Sequence, residues 1–196
     1  YNHNQIISFS YVLEEKVKTF RNACLKKEMK IRENIEKDIY IKIDPYALEQ
    51  IINNLIENAC KFNKDKEIID VGLESINKIV CFSVKDRGIG IDKDKLEHII
   101  TPYYQITSSK QNIQGVGMGL SIIKKIIESI NGHIEVESQV GYGTTFKIYF
   151  NEYKPRKEDN IEVFHETIKP VINTSNLTLL KDSNEEEKKF KLLIVE

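Results

Sequence analysis

No charge of one sign dominates this chain of 196 residues, in which 29 lysines and arginines stand against 30 aspartates and glutamates for a formal net charge of -1. A global field that would draw nucleic acid or an anionic membrane is therefore missing, and only a local basic patch stays open. Cysteine is scarce too. Cys24, Cys60 and Cys81 fall singly, without a C-x-x-C pair or metal-ligand spacing, as expected of reduced thiols in a cytosolic compartment. No apolar stretch is long enough for a membrane helix, and the opening YNHNQIISFS lacks a signal-peptide layout. The absence of methionine at position 1 suggests a piece of a longer protein, whose other parts are free to hold membrane spans. Internal repeats are missing, and so is a G-x-x-x-x-G-K-[ST] loop, which excludes a P-loop nucleotide site.

What is present is an ordinary soluble balance, 40% apolar and 30% charged, enough for one sizeable domain with appendages. Leu13, Val17, Phe20 and Cys24 recur at helical steps, which predicts an amphipathic helix from about 10 to 27. Two alternating segments, 29–35 and 39–43, read as strands. Asp44-Pro45 then opens a helix over 46–61, since Asp caps helix N-termini and Pro suits the first turn. Strands at 67–73 and 78–85 form a hairpin around Glu-Ser-Ile-Asn. One short helix fits 92–100, and 101–114 is polar, aperiodic and loop-like. A helix over 120–130, closed by Asn131-Gly132, leads to strands at 133–138 and 144–150 around the turn Gly141-Tyr-Gly143.

Four short constellations carry chemistry. In the helix over 46–61, Leu48, Ile51, Ile52, Leu55, Ile56 and Ala59 form the buried face, while Asn54, Asn58 and Lys61 line another. Asparagine is a poor helix-interior residue. One reading has an amide oxygen completing a Mg2+ shell beside phosphates, with Lys61 near them. The other is a plain solvated face. Asp86-Arg-Gly88-Ile-Gly90 follows a strand, where a carboxylate can accept from an exocyclic amine and glycines let a flat base approach; an ordinary Asp-Gly turn reads the same. Gly115-Val-Gly117-Met-Gly119 feeds a helix N-terminus, which presents free N–H groups to phosphate. It follows no strand, so a dinucleotide fingerprint is excluded. The fourth piece, Gly141-Tyr-Gly143-Thr144-Thr145, equally suits a simple polar hairpin.

Taken in order, N-L-I-E-N-A-C-K-F, D-R-G-I-G-I, G-V-G-M-G-L-S-I and G-Y-G-T-T-F resemble the N, G1, G2 and G3 boxes of sensor histidine kinases. Those kinases share the GHKL group with gyrase, MutL and certain heat-shock chaperones. The resemblance covers roughly residues 20–150. It implies an α/β (α+β) two-layer sandwich of the Bergerat type, with a mixed, mostly antiparallel sheet covered on one face by helices and a flexible ATP lid. It also implies ATP and Mg2+ as cofactors. Asp86 would bind the adenine amine, Asn58 would ligate Mg2+, and Asn54 and Lys61 would reach the phosphates. Gly88 and Gly90 would admit the base, and Gly115, Gly117 and Gly119 would wrap the phosphates. Thr145 would support the adenine end, and Ile91, Tyr103, Met118 and Leu120 complete the ATP-binding set. The lid over 101–114 would order around nucleotide. Where the family's lid usually reads F-x-P-F, this chain has Ile100-Thr-Pro102-Tyr103, and Lys110 stands where a lid arginine is common.

ATP-hydrolysing members of the group place a glutamate one turn before the metal-binding asparagine. That position is Asn54, which is no useful base, and Glu57 points about 100° away around the helix. Phosphoryl transfer to an imidazole is the better expectation. The family carries its acceptor in a dimerising hairpin before this domain, in an H-E-x-x-x-P setting that His3 lacks. His165-Glu-Thr-Ile-Lys-Pro170 matches the skeleton but lies after the domain with no long amphipathic helix behind it, while His98 and His133 read as structural or exposed. The ending K-L-L-I-V-E resembles the first strand of a receiver domain, which implies a hybrid kinase.

The expected organisation is a preceding tail over 1–9, the catalytic domain over 10–152, a polar linker over 153–189 and the start of a receiver domain at 190–196. The resemblance implies partners within the same parent, a dimerisation (histidine-phosphotransfer) domain and the receiver. It further implies a homodimeric, cytoplasmic or membrane-anchored parent, with no nucleic acid and no membrane contact by this fragment.

Overall fold

Five alternating segments and three amphipathic stripes assemble into a sheet with helices packed on one side. The computed structural model describes residues 2–25, 27–96, 98, 119–159 and 161–162. In chain order these form β1 (Ile6–Ser8), α1 (Phe9–Leu25), β2 (Lys30–Ile35), β3 (Tyr40–Lys42), α2 (Pro45–Phe62), β4 (Ile68–Ile76) and β5 (Ile79–Lys85). They continue as α3 (Lys93–Leu96), α4 (Gly119–Ser129), β6 (His133–Gln139), β7 (Gly143–Asn151) and β8 (Ile161–Glu162). The chain divides into two units, Tyr1–Phe164 and His165–Glu196, and the second lies outside the described residues. So do the expected lid, Pro102, Tyr103, Lys110, the His165–Pro170 stretch and the receiver-like ending.

The main sheet runs β2-β4-β5-β7-β6, with β2 parallel to β4 and every other pair antiparallel. That is the mixed, mostly antiparallel layer the resemblance implied. Period-two alternation gives it one apolar face: Ile69, Val71, Leu73, Val80, Phe82, Val84, Phe146, Ile148 and Phe150 are all buried. Against that face pack α1, α2 and α4, through Leu13 and Val17, Ile52 and Leu55, and Ile123 and Ile127 respectively. Phe9 anchors one end, edge-to-face with Phe82 and Phe150 at 5.4 Å each.

Local chemistry sets the element ends. Asp44 caps α2 by accepting from the amides of Tyr46 at 3.0 Å and Ala47 at 3.2 Å, with Pro45 in the first turn. Burial alone would raise the Asp44 carboxyl, but the amides of Asn2, Ala47 and Tyr46 outweigh it and hold it below its ordinary value. At the close of α4, Asn131 adopts φ +53° and the Gly132 amide donates to the Ile127 carbonyl at 2.9 Å.

Three boundaries differ from the sequence reading. The β4–β5 turn is not the four-residue Glu-Ser-Ile-Asn but the two residues Asn77 and Lys78, at φ +52° and +65°. Two positive φ values in succession mark a type I′ turn, which suits Asn but gives Lys no sequence signal. Residues 6–8 do not trail from the domain, because β1 pairs with β3 and Ile7 is fully buried. Past 152, Tyr153 bridges to Tyr40 and β8 runs parallel to β1, so chain assigned to a linker continues in the fold.

Candidate functional site

Helix α2 presents Asn54 and Asn58 half-buried and Lys61 exposed. The Asn54 amide nitrogen donates to the Gln50 carbonyl at 2.7 Å, which turns its oxygen toward the start of α4. A Cβ on Gly119 would sit 2.2 Å from that oxygen. The structure thus brings Asn54 and Gly119 together, members of the first and third constellations. Asn58 makes no side-chain hydrogen bond among the described residues. Its amide oxygen is a hard donor of the kind magnesium takes. Leu120 packs against the core one residue into α4. Gly115, Gly117 and Met118 lie outside the described residues.

Asp86 follows β5 and is only 6% exposed. Its Oδ1 accepts from the Gly88 amide at 2.8 Å and the Thr144 amide at 3.2 Å, which leaves Oδ2 for a ligand's donor. Burial pushes the carboxyl above its ordinary value, partly opposed by those amides. A nearly buried acceptor with one free oxygen suits an exocyclic amine.

The glycines around Asp86 have a closer reason than admitting a base. A Cβ on Gly88 would meet the Phe62 carbonyl oxygen at 2.0 Å, and one on Gly90, at φ +67°, would meet that of Gln139 at 2.0 Å. The surrounding backbone already demands glycine there. These contacts weld the Asp86 loop to the end of α2 and to the β6–β7 hairpin.

Thr145 lines the same depression as Asp86, but among the described residues no hydrogen bond joins the two. Strand alternation puts it on the uncovered face of the sheet, in register with Lys85 and Glu137. The residue against Asp86 is Thr144, 6% exposed, whose hydroxyl meets Ser138 at 2.9 Å. The Ser138 Oγ also accepts from the Ile91 amide at 2.8 Å and so fastens the loop after Gly90. Its signal was readable, since Ser138 occupies the inward row of β6 after Ile134 and Val136, where an apolar residue is the norm.

Asn63 is a second residue that spacing did not reveal. It caps the C-terminus of α2, and its Oδ1 accepts from the Arg87 amide at 2.9 Å. The Arg87 guanidinium then reaches Asp70 at 2.7 Å and the Ile68 carbonyl, which ties the loop to β4. Burial would raise the Asp70 carboxyl, but Arg32 and Arg87 hold it below its ordinary value.

An open depression of about 700 Å3 lies at the same strand ends, lined by Asp86, Ser138 and Thr144 as well as by outward residues. The outward row Lys85, Thr145 and Glu137 also borders it, and no residue of α2 or α4 does. The nucleotide reading rests on the convergence of α2, the Asp86 loop and α4, of which the depression touches only the Asp86 loop. Of the histidines, His98 and His133 are exposed, with His133 stacked on Tyr149 at 6.0 Å. Among the described residues, no helix is long and apolar enough to cross a membrane.

A mixed sheet under helices, with an asparagine of one helix against a glycine helix start and a buried aspartate at a strand end, is an architecture suited to a nucleotide. The chain belongs to the histidine kinase-, DNA gyrase B- and HSP90-like ATPase family, whose model matches residues 43–154. Within it, the signal transduction histidine-protein kinase ArlS of Staphylococcus haemolyticus (strain JCSC1435) is 35% identical over 116 residues, 59% of this chain and 26% of that protein. ArlS of Staphylococcus epidermidis (strain ATCC 12228 / FDA PCI 1200) is 37% identical over 115 residues, 58% of this chain and 25% of that protein. The chain thus spans about a quarter of the length of the curated relatives it matches. Among solved structures, the nucleotide-free catalytic domain of histidine kinase ThkA superposes with TM-score 0.66 at 23% identity, covering 76% of this chain and 97% of that one. Full-length ShkA in complex with AMPPNP gives TM-score 0.62 at 22% identity, covering 74% and 30%. At these identities the likeness establishes the fold that those chains share.

Proposed function

We propose that this chain binds Mg-ATP in the α2–Asp86–α4 cradle and transfers the γ-phosphate to a histidine on a dimerisation domain of its parent. The observation that carries the reading is the buried Asp86, with one oxygen fixed by backbone amides and the other free, at the end of the cradle that Asn54 and Gly119 close. In this reading the free Asp86 oxygen accepts from the adenine amine, and Thr144, in place of Thr145, supports that end. Asn58 holds Mg2+, which when bound neutralises phosphate charge. Asn54 and Lys61 orient the phosphates, together with Gly115, Gly117 and Gly119, while Ile91, Tyr103, Met118 and Leu120 line the remainder. Transfer of this kind asks mainly for in-line placement and charge neutralisation.

Kinase rather than hydrolase chemistry follows from α2. Asn54 offers no proton-accepting group for water, and Glu57 is exposed on another face. The sequence at 190–196 resembles the first strand of a receiver domain in the same homodimeric parent, which would make the phosphate pass onward from histidine to aspartate.

To test it, the chain is mixed with ATP, Mg2+ and a separately prepared dimerisation domain. Acid-labile phosphate on that partner is the expected result. Acceptor-independent phosphate release would place the chain with the ATPase clamps instead. Asp86→Asn keeps an Oδ1 for both amides, so the fold should persist while ATP affinity falls about 10- to 100-fold. Unchanged affinity would remove Asp86 from the base pocket.

A further inference from the structure

Two of the three cysteines, remote in sequence, meet in space. Cys24 ends α1 and Cys60 lies near the end of α2, yet their sulfurs are 3.1 Å apart as free thiols. Cys24 is 1% exposed and Cys60 is half-buried, so an outside reagent reaches Cys60 first. Lys27 fastens the same corner, its ammonium donating to the Cys60 carbonyl at 3.2 Å. The third thiol, Cys81, is on β5, whose uncovered row it shares with Ser83 and Lys85.

We propose that Cys24 and Cys60 form a thiol pair that small disulfides oxidise to a reversible cross-link between α1 and α2. The exchange proceeds in two displacements. Cys60, as thiolate, attacks one sulfur of the small disulfide, forms a mixed disulfide and expels one small thiolate. Cys24, as thiolate, then attacks the Cys60 sulfur and expels the second. In sum, two protein thiols and one small disulfide become one protein disulfide and two small thiols, with two electrons passing to the reagent. Burial beside a second sulfur keeps the pair inert towards brief exposure, so the bond forms slowly.

The cross-link closes the chain between α1 and α2 and should raise thermal stability, because the unfolded chain loses freedom. It has a second consequence that rests on the nucleotide reading above. Cys60 lies between Asn58 and Lys61, so the bond fixes the helix end that would hold metal and phosphate, and the affinity for Mg-ATP should change several-fold.

The test uses the whole chain, incubated with oxidised glutathione, quenched in acid and alkylated under denaturing conditions for peptide mapping. The expected product joins the Cys24 and Cys60 peptides, leaves Cys81 alkylated, melts at higher temperature and reverts with dithiothreitol. Cys81→Ser should form the same product, and Cys60→Ser should form none. Three alkylated cysteines after prolonged incubation, a glutathione adduct on Cys60 that never passes to Cys24, or a cross-link that needs Cys81 would each overturn the proposal. Mg-ATP titrations of both forms separate the two ideas. Equal affinity in the reduced and cross-linked proteins removes only the link to nucleotide, whereas no binding by the reduced protein removes the nucleotide reading and leaves the thiol pair standing.

Discussion

The two faces of the five-stranded sheet are made from the same strands by the same alternation, yet they hold themselves together differently. Toward the helices, rows of Ile, Val, Leu and Phe are sealed from water, and buried polar groups there take partners from other segments, as Asp86 takes the Thr144 amide and Ser10 the Glu36 carbonyl. On the uncovered face, Arg32 pairs with Asp70, Lys147 with Glu137 at 2.7 Å and Tyr149 with Glu135 at 2.8 Å, all in contact with solvent. Burial makes the first face expensive to alter; water screens the second. The lesson is that the cradle belongs to the inner face, and its geometry is built into the same packing that stabilises the fold.

Substitutions should break that comparison in a definite order. The largest effect is expected from Phe82→Ala, which empties a fully buried aromatic site against Phe9 and should cost about 3–5 kcal/mol in denaturant unfolding. Gly88→Ala comes next. Its methyl meets the Phe62 carbonyl, so a loss of roughly 1–3 kcal/mol is expected, and nucleotide affinity should fall with it, because the loop that aims Asp86 must move. A variant as stable as the parent would show that the weld between loop and helix is loose. Asp44→Ala, at the α2 cap, should cost about 1 kcal/mol at neutral pH. The Asp44 carboxyl is held below its ordinary value, so its contribution is present above about pH 4 and disappears as the pH falls through the folded value. Parent and variant should therefore converge in acid, as read by urea titrations at several pH values.

Asp86 has the opposite sign. Its folded carboxyl titrates above the unfolded one, so it opposes folding increasingly as the pH rises from the unfolded value through the folded value. Asp86→Asn should accordingly match or exceed the parent's stability at neutral pH while binding ATP more weakly. Smallest of all, Lys147→Ala on the uncovered face should leave the melting temperature where it was.

Much of the inner face was legible in advance. The caps Asp44-Pro45 and Asn131-Gly132 are local signals, and the apolar rows follow from periodicity, so helices and strands fell close to their positions. Asp86 and the asparagines of α2 were also visible, because each is a polar residue in an unfavourable place. What stayed hidden depends on parity or on distance. Thr144 and Thr145 are chemically the same, and a single step along β7 decides which faces Asp86. The need for Gly88 and Gly90 comes from carbonyls at 62 and 139, which only the folded chain brings near. Cys24 and Cys60 looked like isolated thiols for the same reason.

The pairing of β8 with β1 has a mechanical meaning. Ile6 faces Ile161 and Ile7 faces Glu162 in parallel register. Tension applied to the chain ahead of Ile6 and, in the opposite sense, beyond Glu162 would load those bonds in shear, together rather than one at a time. A short seam so oriented resists slipping better than its length suggests, because its bonds share the load.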